Sequence, residues 1–249
     1  MGSHPRLPTP VNIGRVGAVI AVLAAVVAPV VATLWVSTPD VSDVQARVAA
    51  VTRAHGVVLL RPDQVPDLLA KAVVATEDSR FYTHHGIDTV GQARAVLYDV
   101  TNRCFCEGGS TITQQLVKQL YLNGSDRGRD KLTDMVLALK VEQVLSKQQI
   151  MADYLSEIAT GFGRYGVSEA ACVYFKASLG NLTLGQYALL AGVTQAPSVY
   201  DPTVNPSAAE QRRTDVLRDM VNEHYISAAQ AAAAEQEPVL ASGASSAGC

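Results

Sequence analysis

Between Val16 and Pro39 the chain runs for 24 residues without a charged side chain, VGAVIAVLAAVVAPVVATLWVSTP. About 20 apolar residues are enough for a helix to cross the hydrocarbon core of a bilayer. Arg6 and Arg15 precede the run, and Asp40 and Asp43 follow it. Basic flanks stay on the cytoplasmic side. Residues 16–39 therefore read as a single-pass transmembrane helix in the inner or plasma membrane. Residues 1–15 are then a cytoplasmic N-terminus, and the body of the chain is extracytoplasmic. Trp35 falls where an interfacial anchor is expected, and Pro29 sits mid-span, where membrane helices tolerate a kink. The rival is a cleaved signal peptide, which has a shorter apolar stretch ending in a small-residue cleavage site. The remaining roughly 210 residues are the size of one domain.

Composition narrows what that domain does. Apolar residues make up 48% of the chain, which is enough to build a core and excludes wholesale disorder. Twenty Lys and Arg against 23 Asp and Glu leave no basic excess, so a nucleic-acid partner is not expected. Four cysteines are too few for a disulfide scaffold, and their spacing does not suit zinc. Cys104 and Cys106, two residues apart, read as incidental or weakly paired, Cys172 as a core residue and Cys249 as a mobile terminal thiol.

Helix signals dominate after a mixed connector over 40–66. Ser or Thr followed three residues later by Gln or Glu marks helix starts at Thr111/Gln114, Ser146/Gln149, Thr183/Gln186, Ser207/Glu210 and Ser227/Gln230. Leu132, Met135, Val136 and Leu139 recur at helical intervals. Only the run Val57-Val58-Leu59-Leu60 suggests a small strand. The expected class is all-α, with a domain over 67–226 and an Ala/Ser-rich tail over 227–249 that starts as a helix and frays after Pro238.

Three segments carry chemistry. In ATEDSRFYTHHGID, 75–88, Glu77 follows an apolar run. Apolar walls push a carboxyl pKa up, which suits a general base. Asp78 is its neighbour, and His84, seven residues on, returns to roughly the same helical face before Gly86 ends the helix. A metal site of Glu77, Asp78, His84 and His85 matches no ligand pattern of the HExxH kind. In EGGSTITQQLVKQL, 107–120, Gly108 and Gly109 lead into a capped helix whose N-terminus favours an anion, with Lys118 sharing a face with Gln114. In DRGRDKLTD, 126–134, Arg127, Arg129 and Lys131 suit phosphate oxygens.

In this order, behind one apolar anchor, the three segments resemble glycosyltransferase family 51. These are the peptidoglycan glycosyltransferases of bifunctional penicillin-binding proteins and of monofunctional transglycosylases. The resemblance runs from about Leu68 to about Ile226. Glu77, Asp78, Phe81, His84 and Gly86 fit the pattern Glu-Asp-x-x-Phe-x-x-His-x-Gly. Gly108 to Gln115 reproduces a second motif in full, with Ser110, Thr111, Gln114 and Gln115 in place and Lys118 after it. Residues 146–158 resemble a fourth motif, with Ser156 where the family has Asn. The stretch from Tyr187 through Arg212-Arg213 to Leu217 resembles the closing region. The third motif, Arg-Lys-x-x-Glu, departs: Asp130 takes the arginine position, Lys131 is kept, and Asp134 takes the glutamate position.

The resemblance implies a lysozyme-like, mostly helical domain with a small membrane-proximal hydrophobic lobe. It implies that lipid II units are joined into glycan strands with inversion at C1 and loss of undecaprenyl pyrophosphate. Its partners would be lipid II, the nascent glycan strand, the membrane and other cell-wall synthesis proteins. Glu77 and Asp134 become the catalytic carboxylates. Asp78, Phe81, His84, Ser110, Thr111, Gln114, Gln115, Lys118, Arg127, Arg129 and Lys131 become the substrate-binding set. No cofactor is certain; Asp78, Asp130 and Asp134 are candidates to hold Mg²⁺ or Mn²⁺ against the pyrophosphate. The chain after residue 226 is too short for a transpeptidase domain, so penicillin binding is not expected. The alternative from another class is a degenerate homologue that binds lipid II or cell-wall partners without polymerising, motivated by Asp130 and Asp134. A lytic enzyme follows from the lysozyme-like fold alone, and fold does not carry function.

Overall fold

The structure is a computed structural model that describes residue 25 and residues 28–102, 109–125 and 127–241. Residues 28–37 are helical. The rest of the apolar run, 16–24 and 26–27, lies outside the described residues, as do Cys104, Cys106, Gly108, Asp126 and Cys249. Among the described residues no helix is long and apolar enough to cross a membrane. The chain divides into two units between Pro39 and Asp40, and the second unit holds the body of the chain.

That unit is mostly helical. Its helices are α1 (Val44–His55), α2 (Asp67–Glu77), α3 (Thr89–Asn102), α4 (Ile112–Leu122), α5 (Arg129–Val144) and α6 (Lys147–Glu157). After a small hairpin come α7 (Val167–Phe175), α8 (Leu184–Val193), α9 (Pro197–Tyr200), α10 (Pro206–Asn222) and α11 (Ala228–Glu235). The hairpin pairs β1 (Ala159–Gly161) with β2 (Arg164–Tyr165), antiparallel, with a bulge between Ala159 and Gly161.

Helix α8 reads LGQYALLAGV and is apolar nearly all round, so burial is its only stable setting. Every residue from Tyr187 to Val193 is buried, and α2 and α10 pack against it. The core extends from there through Leu69, Val73, Leu116, Leu137, Ile150 and Leu155. Four of the five expected caps form. Thr111, Thr183 and Ser227 make reciprocal capping boxes, and Ser146 accepts from Gln149 N. Ser207 does not cap: Pro206, with its fixed φ, takes the first helical position, and Asn205 precedes it.

Four further expectations change. Val57–Leu60 forms no strand, because its amides are taken elsewhere: Val57 N donates to Thr52 O, and Leu60 N donates to Ser156 Oγ at 2.9 Å. Residues 40–66 are more than a connector, since Val41, Val44 and Val48 join the core. The chain does not fray directly after Pro238. Val239 and Leu240 pack on the core, and Ala241 N donates to Tyr174 O at 3.0 Å. Cys172 is disulfide-bonded rather than a plain core thiol; its partner lies outside the described residues.

Helix α3 is the exception to inward packing. Its one buried residue is Ala95, whereas Val90, Val96, Leu97, Tyr98 and Val100 are exposed.

Helix α6 buries two acids, Asp153 and Glu157. Asp153 accepts from Gln45 and Gln149, and burial pushes it up to about 6. Glu157 is 3% exposed, and its Oε1 has no hydrogen-bond partner. Burial, with the Asp153 charge nearby, pushes Glu157 from its ordinary 4.5 up to about 8. The folded chain thus holds a proton that the unfolded chain releases, and stability falls as pH rises from 4.5 to about 8. Glu157→Gln should flatten that fall and leave the variant more stable than wild type at pH 8, by on the order of a few kcal/mol. Thermal unfolding across this pH range checks it; an unchanged slope would refute the assignment.

Candidate active site

Helix α2 ends at Glu77, and the chain leaves the helix at Asp78, whose φ is −160°. Residues 79–87 form turns rather than more helix, so His84 reaches Asp78 through a loop and not along a helical face. Gly86, at φ 93°, does not end a helix. It lets the loop touch α5, since a Cβ there would lie 2.7 Å from the Ala138 carbonyl.

That loop folds back on the start of α4. His84 Nε2 lies 3.0 and 2.9 Å from the two Asp78 oxygens. Asp78 Oδ2 also accepts from Ile112 N, the first amide of α4, at 3.0 Å. Thr111 Oγ1 donates to Gly86 O at 2.7 Å and accepts from Gln114 N. The anion expected at this helix start is therefore the protein's own Asp78.

Two adjacent glutamines on α4 then reach in different directions. Gln115 Nε2 donates to Glu77 Oε2 at 2.9 Å, and its Oε1 accepts from Tyr154 OH at 3.2 Å. Gln114 Oε1 accepts from Thr111 N, and its Nε2 donates to Asp134 Oδ1 at 2.8 Å. Asp134 is also met by Lys131 Nζ at 3.3 Å, and that lysine donates to Ser110 Oγ at 2.8 Å. Burial raises the Asp134 pKa, while Gln114, Lys131 and Lys118 oppose the rise.

Glu77 faces a cleft of about 670 Å³ walled by α2, α3, α10 and the lead into α4. Its side chain is 9% exposed, and Oε1 has no hydrogen-bond partner. Burial raises its pKa, against the Gln115 hydrogen bond and the Arg212 charge. Of the residues expected to bind substrate, Asp78, Ser110 and Thr111 line this cleft. Phe81, His84 and Gln114 are buried and engaged within the protein. Phe81 carries Lys147 Nζ 4.3 Å above its ring. Lys118 and Lys131 are half-buried beside Asp134, and Arg127 and Arg129 are exposed.

The carboxylates expected to hold Mg²⁺ or Mn²⁺ are not brought together. Asp78 serves His84 and Ile112, Asp130 accepts from Ser125, and Asp134 serves Gln114 and Lys131. Among the described residues no group of three or more His, Cys, Asp or Glu could hold a metal ion. Sequence reasoning missed the α3 and α10 walls: Gln92 and Arg94 on one side, Arg218 and Asp219 on the other. Nothing local marks Asp219, because its partner lies far along the chain: Thr76 Oγ1 donates to it across 143 positions.

The sequence model of the transglycosylase family matches residues 45–221. Penicillin-binding protein 1A of Haemophilus influenzae is 44% identical over 178 residues, 72% of this chain and 21% of that protein. Its counterpart in Vibrio cholerae is 41% identical over 73% of this chain and 22% of its own length. That of Escherichia coli is 42% identical over 68% and 20%. The chain thus spans about a fifth of the length of the curated relatives it matches. A crystal structure of penicillin-binding protein 1A from Haemophilus influenzae overlays on 74% of this chain and 18% of that one, at 28% identity and TM-score 0.46.

The Asp78 network makes a stability prediction. Asp78→Ala leaves His84 Nε2 and Ile112 N without their partner in a buried place. The expected cost is about 3 kcal/mol, and Asp78→Asn, which keeps an acceptor, should cost clearly less. Denaturant unfolding measures both; equal and small losses would show that the network is not structural.

Proposed function

The chain belongs to the transglycosylase family, and from that premise we propose that it is a peptidoglycan glycosyltransferase that polymerises lipid II into glycan strands. One observation carries the proposal: Glu77 lines a large cleft with a buried carboxylate whose Oε1 has no hydrogen-bond partner. In that role the Glu77 carboxylate takes the proton of the acceptor sugar's 4-hydroxyl as the hydroxyl oxygen attacks C1 of the donor. Attack from the face opposite the leaving group inverts C1 and releases undecaprenyl pyrophosphate.

The leaving pyrophosphate gains charge in the transition state, so fixed cations belong beside it. Lys131, with Lys118 nearby, fits that task; Ser110 joins their cluster to the Glu77 cleft. Asp134, one methylene shorter than the family's glutamate, is met by Gln114 and Lys131. Asp130, at the family's arginine position, accepts from Ser125 and is not bonded to Lys131 or Asp134. This supports polymerisation despite the altered third motif. The degenerate-homologue reading draws no support from the site.

The substrate is itself membrane-bound, which gives the apolar run 16–39 a role as anchor, N-terminus inside. The exposed apolar side chains of α3 border the same cleft through Gln92, Arg94 and Ala95, and suit a lobe that dips into the bilayer surface. Nascent glycan and other cell-wall synthesis proteins are the partners this role entails.

The test is lipid II polymerisation by the purified chain in detergent, with products resolved by gel. Polymer is expected, and Glu77→Gln should lower the rate by roughly 10²–10⁴-fold, the usual contribution of a general base. An unaffected Glu77→Gln would remove Glu77 from the mechanism. A folded chain that binds lipid II and makes no polymer would favour the non-polymerising homologue.

A further inference from the structure

One cation of the cleft stands apart from the donor-side cluster. Arg212, on α10, places Nη2 3.7 Å from Glu77 Oε1, close enough for strong attraction and too far for a hydrogen bond. Its guanidinium is held by other partners. Nε donates to the Gly192 carbonyl at 3.3 Å, Nη2 donates to Thr76 Oγ1 at 3.0 Å, and the group lies 5.8 Å from the Tyr200 ring centre. Thr76 donates its own proton to Asp219. Gly192 makes room for the arginine stem: a Cβ there would meet Arg212 Cγ at 2.8 Å. The arginine is thus fixed by the fold and not by the glutamate.

We propose that Arg212 is the positioning residue of Glu77: it sets a fixed positive charge beside the carboxylate without hydrogen-bonding to it. The inference rests on Glu77 acting as the general base. A buried base must be ionised before reaction yet have a lone pair open. Burial works against the first requirement, and a full salt bridge would defeat the second. A cation at 3.7 Å, tethered to Gly192 and Thr76, meets both.

Arg94 and Arg218 also line the cleft, but among the described residues Arg212 is the cation whose charge acts on Glu77. On α2 the neighbouring Asp78 repels its charge, and on α4 Gln115 is neutral. On α6 Tyr154 is buried, and its phenol is raised well above its ordinary range. Helix α8 carries no charged residue in Leu184–Val193 and offers the Gly192 carbonyl. On α10 Asp219 is tied to Thr76, and Arg218 pairs with Asp215 at 2.8 Å.

The test is a ¹³C-carboxyl titration of the full chain in detergent, with the Glu77 signal assigned by its loss in Glu77→Gln. It runs beside the pH profile of lipid II polymerisation. Removing an attractive cation raises a carboxyl pKa, and a base is active only when ionised. Arg212→Gln should therefore move the Glu77 titration and the acid limb of kcat/KM up together, by about one unit, the low end for an opposite charge at this range. Below that limb the rate should drop about tenfold. Arg212→Lys should restore the limb, and Thr76→Val, which frees Nη2 without deleting the charge, should give a smaller shift. If Arg212→Gln does not fold, the Thr76→Val shift decides. An unmoved titration in Arg212→Gln, or in its place an unmoved Thr76→Val, would overturn the proposal, even if the rate fell. Should wild type make no polymer, the general-base reading fails, while the titration still tells whether Arg212 governs Glu77.

Discussion

The Asp78 carboxylate holds the first amide of α4 and the His84 ring at once, and the rest of the site depends on that junction. A helix start has unpaired N–H groups that must find acceptors. Here a buried acid from the preceding loop supplies one, and Thr111 supplies another. With α4 fixed, Gln114 and Gln115 are aimed without further devices, one at Asp134 and one at Glu77. Two acids that lie 57 positions apart are thereby set from neighbouring residues of one helix. The Asp78–His84 pair continues into Lys147, Glu142 and Thr113, so α4, α5 and α6 are tied to the same loop.

Much of this is legible in the sequence where the signal is local. Thr111, Thr183 and Ser227 announce their helices, because a capping box needs only residues three apart. Glu77 stands out as an acid at the end of an apolar run, and burial of that run does raise it. Ser207 misleads, because Pro206 sets the helix start two residues earlier than the hydroxyl pattern suggests. Helical periodicity puts His84 on the Glu77 face, whereas a turn-rich loop brings it to Asp78. Arg212 is legible only as part of the closing region; that it and Asp219 meet Thr76 is not, since tertiary packing alone brings them together.

Asp130 is the residue whose meaning differs most between sequence and fold. As a sequence departure it puts an anion where relatives of this family carry a cation, and so threatens the donor side. In the fold it closes a turn with Ser125 at the start of α5, while Lys131 alone turns toward Ser110 and Asp134. The two acids also differ in the charge around them. Around Glu77 a glutamine and one tethered arginine oppose burial, whereas around Asp134 a glutamine and two lysines do so. Glu77 keeps one oxygen without a hydrogen-bond partner, as the proposed base role asks, whereas Asp134 is bonded on both oxygens.

The most direct measurement is a double-mutant cycle on polymerisation rate with Asp78→Ala, Gln115→Leu and the pair together, at a temperature where all are folded. If Asp78 acts by seating the start of α4, its loss already releases Gln115 from Glu77. The double variant should then be scarcely slower than the worse single variant, a coupling of roughly 1–3 kcal/mol. Strictly additive losses would mean that the two residues act independently and that the helix start is not what aligns the site.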